Sequence, residues 1–82
     1  MGYKGVNCGY RLVDKKTGKI LKYGESISPE TRYTQTELDS YNAKMEILVS
    51  GSKAEIHQWQ HDQINAYKNK YGQRPPLNKS DW

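Results

Sequence analysis

The sequence predicts a small α+β domain in which a three-stranded antiparallel sheet is flanked by helices, in the order β-β-α-α-β-α. Two short β-rich runs joined by a turn and a third apolar run near the middle of the chain predict the sheet. Ser and Thr N-cap patterns followed by helical spacing of apolar residues predict the helices. At 82 residues, we expect a single domain, 1–82, with one modest core.

The first two strands are predicted to form a hairpin. Apolar and polar residues alternate over residues 8–14, and a similar run covers residues 19–24. Thr17-Gly18 lies between these runs, and a glycine-containing turn in this position is typical of an antiparallel hairpin. Residues 3–7 show no periodic pattern and are predicted to be irregular.

Two helices are predicted after the hairpin. Ser28-Pro29 begins the first helix, because serine is a favoured N-cap and proline is favoured at the first helical position. Arg32 then falls on the first helical turn. Residues 34–37 match a capping box that begins the second helix, and Asn42-Ala43 ends it.

The second half of the chain supplies a third strand, a long helix and a return segment. Residues 45–49 predict a strand beside the hairpin. Residues 52–55 form another capping box, and the helical pattern that follows ends at Gly72. Residues 74–78 contain two prolines, which disfavour helix. We expect this segment to be extended and to bring Asn78 back to the sheet.

Composition excludes several classes of function. No apolar run reaches the roughly 18 residues of a membrane-spanning helix. The single cysteine cannot form an internal disulfide, and Cys8, His57 and His61 are too few to hold zinc. The two histidines are therefore predicted to be solvated. The net charge of +4 fits a nucleic-acid partner, although many small domains reach this charge without one.

Short motifs in a fixed order resemble the GIY-YIG nuclease domain. Gly9-Tyr10 lies on the first predicted strand, Tyr23-Gly24 ends the second, Arg32 lies on the first helical turn, and Asn78 follows the last helix. The resemblance covers residues 8–78. The compact size and the ending GQRPPLNKSDW are similar to the C-terminal nuclease modules of bacterial polymorphic toxins.

The motifs depart from the family pattern in two places. Cys8 stands where the first motif has its leading glycine, and Tyr23 directly precedes Gly24 instead of standing two residues before it. Because side chains alternate along a strand, Tyr23 would point away from the expected face unless a bulge re-aims it. The resemblance leaves open whether Tyr10 or Tyr23 is catalytic.

The family's metal-binding carboxylate has two possible counterparts. Family members carry one glutamate on the long helix, which binds a single divalent metal, typically Mg²⁺. Glu55 is explained by the capping box. Gln60 fits the position better, because Ile56 and Ile64 lie four residues before and after it on one helix face. The resemblance thus implies a Glu-to-Gln inactivated variant in which Mg²⁺ binds weakly, since an amide lacks the negative charge that Mg²⁺ favours.

The resemblance implies a metal-dependent endonuclease toxin that hydrolyses phosphodiester bonds and serves interbacterial competition. DNA is the expected substrate in preference to RNA. A tyrosine would act as, or position, the base for the attacking water, and Arg32 would stabilise the developing phosphate charge. The implied catalytic residues are Tyr10, Tyr23, Arg32, Gln60 and Asn78. Lys22 and His61 would bind substrate. Gln60 occupies the implied metal position, and Glu55 is the less favoured candidate for it.

The resemblance also implies partners and a location. The domain would be secreted or delivered as the C-terminal part of a larger bacterial protein, act in the target-cell cytoplasm, and be blocked by a cognate immunity protein. Two alternatives stay open from the sequence. One is a non-catalytic nucleic-acid-binding domain in which Gln60 is natural, and the other is a module whose basic charge serves docking to an acidic, immunity-like protein.

Overall fold

The computed structural model describes residues 6–79, and these follow the predicted order of elements. The α+β class and the three-stranded antiparallel sheet are confirmed, and the sheet has the strand order β2-β1-β3. The elements are β1 (Asn7–Asp14), β2 (Ile20–Ser26), α1 (Pro29–Arg32), α2 (Gln35–Ser40), β3 (Ala43–Gly51) and α3 (Lys53–Tyr71).

The strands extend beyond their predicted ends. Asn7, predicted to be irregular, belongs to β1 and pairs with Gly51, whereas residues 3–5 lie outside the described part of the chain. β2 continues two residues past Gly24. β3 already begins at Ala43, directly after Asn42 reverses the chain with a φ of 52°. Pairing with the central strand β1 extends the strands where alternation in the sequence gives no signal.

The helix ends follow their local sequence signals. In the capping box of α2, the Glu37 amide donates to Thr34 Oγ1 (3.0 Å) and the Thr34 amide donates to Glu37 Oε1 (2.9 Å). Ser52 and Glu55 form the same pair of hydrogen bonds at α3, which ends at Gly72 with a φ of 79°. Over residues 6–79, no helix has the length and apolar character needed to cross a membrane.

Two glycines allow aromatic rings to lie directly on the hairpin. A Cβ atom on Gly9 would overlap the Trp59 ring, and a Cβ atom on Gly24 would overlap the Tyr10 ring. Because successive residues of a strand face opposite sides, the Trp59 ring, which lies on Gly9, and the Tyr10 ring, which lies on Gly24, are on opposite faces of the hairpin. Both glycines are thus required for packing. Tyr10 belongs to the buried core with Leu12 and Ala43, against which Leu21, Tyr33, Leu38, Met45 and Leu77 pack.

The proline-rich tail returns Asn78 to the sheet at the outer edge of β2, as predicted. The expectation that residues 74–78 are extended is wrong in part, because residues 76–77 form a turn in which the Asn78 amide donates to the Pro75 carbonyl (3.0 Å). The Leu77 amide donates to the Leu21 carbonyl (2.8 Å). The Asn78 side chain continues this pairing, because its Oδ1 accepts from the Tyr23 amide and its Nδ2 donates to the Tyr23 carbonyl, both at 2.9 Å. One side chain therefore satisfies both backbone groups of a residue on an edge strand, where unpaired groups would otherwise be exposed.

Candidate functional site

A cavity of about 360 Å³ beside β2 collects side chains from β1, β2, α1, α3 and the tail. We call it the central cavity. Tyr10, Arg32 and Gln60 all line it, although they are distant in the chain. The predicted convergence of these three residues is therefore present. The polar and charged residues of the cavity wall are Tyr10, Lys22, Glu25, Arg32, Gln60, Asn78 and Lys79.

Tyr10 is buried and held by a hydrogen-bonded chain. Its hydroxyl lies 3.2 Å from the Tyr33 hydroxyl, which accepts a hydrogen bond from Lys22 Nζ at 2.8 Å. Burial and the hydrogen bond with Tyr33 raise the pKa of Tyr10 above its ordinary value of 10.0, and nearby Arg32 offsets this only in part. Tyr10 therefore stays protonated near neutral pH and is a neutral part of the cavity wall.

The lining of the central cavity carries a net positive charge, with three cations against the carboxylate of Glu25. Lys22, Arg32 and Lys79 line it together. Arg32 ends the short helix α1, where its guanidinium carbon lies 4.7 Å from the centre of the Tyr33 ring. This stacking restrains the guanidinium without using its hydrogen-bond donors. The cavity is thus suited to an anionic ligand with several oxygen acceptors, such as a phosphate.

Gln60 brings a buried, unpaired acceptor to the cavity wall. The residue is 7% exposed, and its Oε1 has no hydrogen-bond partner among residues 6–79. Ile56 and Ile64, one turn before and after it, are also buried and hold this face of α3 in place. An unpaired buried carbonyl costs about 1–3 kcal/mol. A donor or cation supplied by a ligand would remove that cost.

The donor atoms of the cavity do not fit Mg²⁺. Within the described chain, no group of three or more His, Cys, Asp or Glu residues could hold a metal ion. Glu25 lines the cavity, but its Oε1 accepts from Asn7 Nδ2 (2.9 Å) and its Oε2 contacts His57 Nδ1 (2.5 Å). Gln60 adds a neutral oxygen only. Mg²⁺ favours several anionic oxygen ligands, and among the described residues that line the cavity Glu25 alone is a carboxylate.

The structure separates the two candidate tyrosines. Tyr23 pairs with Arg11 in the hairpin, and its ring packs edge-to-face on Trp59 with centroids 5.8 Å apart. It does not line the central cavity. The β1–β2 pairing does shift register, leaving Leu21 without a partner, but the shift does not turn Tyr23 toward Tyr10. Strand alternation therefore prevails, and Tyr10 is the tyrosine at the site.

Glu55, His61 and His57 lie outside the lining of the central cavity. Glu55 is held by Ser52, and hydrogen bonds from the Ser52 backbone and side chain lower the pKa of Glu55. His61 Nε2 lies 2.9 Å from Asn65 Nδ2. His57 is exposed, as predicted, and its ring also contacts Glu25 of β2, which the sequence did not indicate.

Asn78 lies at the sheet, where the tail was expected to bring it, and also at the cavity, where the resemblance implies it. It lines the cavity, and its amide atoms bond the Tyr23 backbone. This contact makes Asn78 a brace between the tail and β2.

Sequence reasoning missed Tyr33 and the group formed by Asn7, Glu25 and His57. Tyr33 directly follows Arg32, so an aromatic residue beside the candidate arginine was the available signal. Asn7 and Glu25 meet only through the register of the hairpin, and His57 reaches them from α3. Nothing in the local sequence indicates this group.

Comparisons of the chain with protein-family models, with curated proteins and with solved structures give no match. The geometry and charge of the central cavity are therefore the main guide to function.

Proposed function

We propose that the central cavity binds a backbone phosphate of nucleic acid and that the domain is a GIY-YIG-type endonuclease, with DNA preferred over RNA. The observation that carries this proposal is the meeting of Tyr10, Arg32 and Gln60 in one cavity whose wall also holds two lysines. The unpaired oxygen of Gln60 is an acceptor that a phosphodiester cannot satisfy, so it marks a position for a donor or cation that accompanies the phosphate.

The charges of the cavity match the needs of phosphodiester hydrolysis. Attack of a water oxygen on phosphorus adds negative charge to the phosphate oxygens as the bond to the leaving oxygen breaks. Cationic groups fixed in advance stabilise that charge without having to reorganise. Arg32 contributes a planar set of donors restrained on Tyr33, and Lys22 is restrained by its hydrogen bond to the same residue.

The role proposed for Tyr10 is positioning. A general base must give up its own proton first, and the raised pKa of Tyr10 makes its phenolate rare near neutral pH. Its neutral hydroxyl is instead suited to orient the attacking water or a phosphate oxygen. The Tyr33 and Lys22 chain fixes the direction of that hydroxyl.

Position 60 decides between binding and cleavage in this proposal. With glutamine there, the cavity binds phosphate and the Mg²⁺ expected from the resemblance does not bind well. A carboxylate at the same place would supply an anionic oxygen ligand. The metal would then supply additional positive charge at the phosphate. We therefore assign metal-dependent cleavage to the form with glutamate at this position.

The test is to restore the glutamate that the resemblance implies at position 60. We expect Gln60→Glu to nick supercoiled plasmid in the presence of Mg²⁺. Arg32→Ala in that background should lower the rate by about 100-fold or more, the usual effect of removing one donor from a transition-state site. Lys16→Ala is the matched control, since Lys16 is exposed on the hairpin turn, outside the cavity lining. Transfer RNA and ribosomal RNA assayed in parallel distinguish DNA from RNA as the substrate.

A second candidate function is non-catalytic binding of nucleic acid on the same fold. The observation that favours it is the poor fit of the donor atoms to Mg²⁺. A Gln60→Glu protein that binds DNA and never cuts it would select this function. A protein that neither binds nor cuts would select the partner-binding module. Delivery by a larger bacterial protein and neutralisation by an immunity protein stay predictions of the resemblance.

A further inference from the structure

A second cavity, of about 310 Å³, adjoins the central cavity. The two cavities share Lys22, Arg32, Leu77 and Lys79 in their walls. We call the second one the side cavity. The three shared cations mean that an anionic group bound by them would lie at the boundary between the two spaces. A ligand that begins in the central cavity can therefore continue into the side cavity.

The remaining walls of the side cavity differ in chemistry from the central cavity. They are formed by Tyr33, Glu37, Tyr41 and Pro76. Tyr41 is 43% exposed, so part of its ring is accessible to a ligand. Rings of this kind stack on nucleobases regardless of sequence. The side cavity thus offers an aromatic surface beside the cations that bind phosphate.

Glu37 makes a second phosphate an unfavourable occupant of the side cavity. Its Oε1 accepts from the Thr34 amide, but the carboxylate as a whole carries negative charge at the cavity wall. Like charges at short distance repel. A carboxylate accepts hydrogen bonds from the amino groups of bases. An aromatic ring, a proline and a carboxylate acceptor together fit a base better than a phosphate.

We propose that the side cavity binds the nucleobase of the nucleotide next to the phosphate in the central cavity, with the base unpaired. This inference rests on the proposed binding of phosphate by the central cavity. A base in an intact duplex is paired and stacked on its neighbours, and entering a protein cavity requires it to leave the stack. The domain should therefore prefer single-stranded nucleic acid, or a locally opened strand, over a closed duplex.

The experiment measures binding by the protein as it is, with Gln60 and without added metal. Fluorescence anisotropy compares one labelled single-stranded DNA oligonucleotide with its blunt duplex. We expect the single strand to bind about tenfold more tightly than the duplex, and Tyr41→Ala to reduce single-strand affinity about tenfold while leaving duplex affinity unchanged.

Three variants separate stacking from loss of fold. Tyr41→Phe keeps the ring and should keep the affinity for the single strand, whereas Tyr41→Leu keeps apolar bulk and should lose affinity as Tyr41→Ala does. Tyr71→Ala is the matched control, because Tyr71 is 56% exposed and lines neither cavity. It should bind both probes as the unchanged protein does.

The outcomes distinguish this inference from the function on which it rests. If Arg32→Ala weakens binding of both probes but Tyr41→Leu binds the single strand normally, the base site is overturned and phosphate binding stands. A duplex bound at least as tightly as the single strand also overturns the base site. If Arg32→Ala changes binding of neither probe, the phosphate proposal itself is overturned.

Discussion

Replacing two buried side-chain amides of this fold, those of Gln60 and Asn78, should change its stability in opposite directions. Gln60 and Asn78 are 7% and 8% exposed. Both amide atoms of Asn78 bond the Tyr23 backbone, whereas Gln60 Oε1 has no partner within residues 6–79. A binding site can hold an unsatisfied group that a structural site would not. We therefore expect replacement of Gln60 by an apolar residue to stabilise the fold and replacement of Asn78 to destabilise it.

The magnitudes follow from the hydrogen bonds. Gln60→Met keeps a linear side chain and removes an acceptor whose unpaired burial costs about 1–3 kcal/mol. After imperfect repacking, we expect a gain of about 1 kcal/mol in the free energy of unfolding. Asn78→Leu loses two hydrogen bonds and leaves the Tyr23 amide and carbonyl unpaired, which should cost about 2–4 kcal/mol. In a domain of this size, 1 kcal/mol corresponds to about 4–8 °C in Tm.

Urea and thermal unfolding followed by circular dichroism measure both changes. Gln63→Met is the control, because it makes the same substitution on α3 at a residue outside the cavity, and should change stability by less than about 0.5 kcal/mol. A Gln60→Met protein less stable than the unchanged protein would refute the reasoning, since Oε1 would then have a partner that stabilises the fold. An Asn78→Leu protein of unchanged stability would refute the bracing role of the tail.

Three further changes test the packing and the pKa values. Gly24→Ala should lower stability by about 1–3 kcal/mol in urea unfolding, because its Cβ would overlap the Tyr10 ring, and this cost should shrink in a Tyr10→Leu background. Hydrogen bonds from Ser52 lower the pKa of Glu55, so the ionised carboxylate stabilises the fold above its ordinary pKa of 4.5 and loses that effect as the pH falls. Glu55→Gln should therefore make the urea midpoint less dependent on pH in the acid range. The folded state holds the Tyr10 proton more tightly than the unfolded state does, so stability should fall as the pH rises above 10.0, and Tyr10→Phe should weaken that fall.

Helix boundaries were predictable because their causes are local. The Thr34–Glu37 and Ser52–Glu55 pairs form both capping hydrogen bonds within four residues of chain, so sequence spacing is sufficient to find them. Ser28 is the exception. It stands at the predicted N-cap of α1, but its side chain makes no capping hydrogen bond. The short helix follows Pro29 without that bond.

Strand ends and side-chain networks were less predictable because they depend on pairing across the chain. Asn7 lacks a periodic pattern around it, yet it lies on β1 because Gly51 pairs with it. The contacts of Glu25 with Asn7 and His57 require both the hairpin register and the position of α3. No property of these three residues taken separately indicates that they meet.

Gln60 shows how far local pattern extends into the site. Its position on the inner face of α3 follows from Ile56 and Ile64 at helical spacing, and the structure buries all three. The unpaired state of Oε1 does not follow from that pattern, because it depends on what β1, β2 and the tail place opposite the helix. The sequence therefore predicts the residue, and only the packed fold shows its missing partner.

The central cavity combines groups that are unfavourable together without a ligand. Three cations and one carboxylate, Glu25, line it, and a buried acceptor lacks a partner there. Like charges repel, and an unpaired buried oxygen is destabilising. One bound phosphodiester held near the wall would reduce the repulsion, and a donor or cation accompanying it would satisfy Gln60. If these groups are arranged to bind such a ligand, Gln60→Met should gain stability and lose ligand affinity, whereas Asn78→Leu should lose both. That contrast separates a residue kept for binding from one kept for the fold.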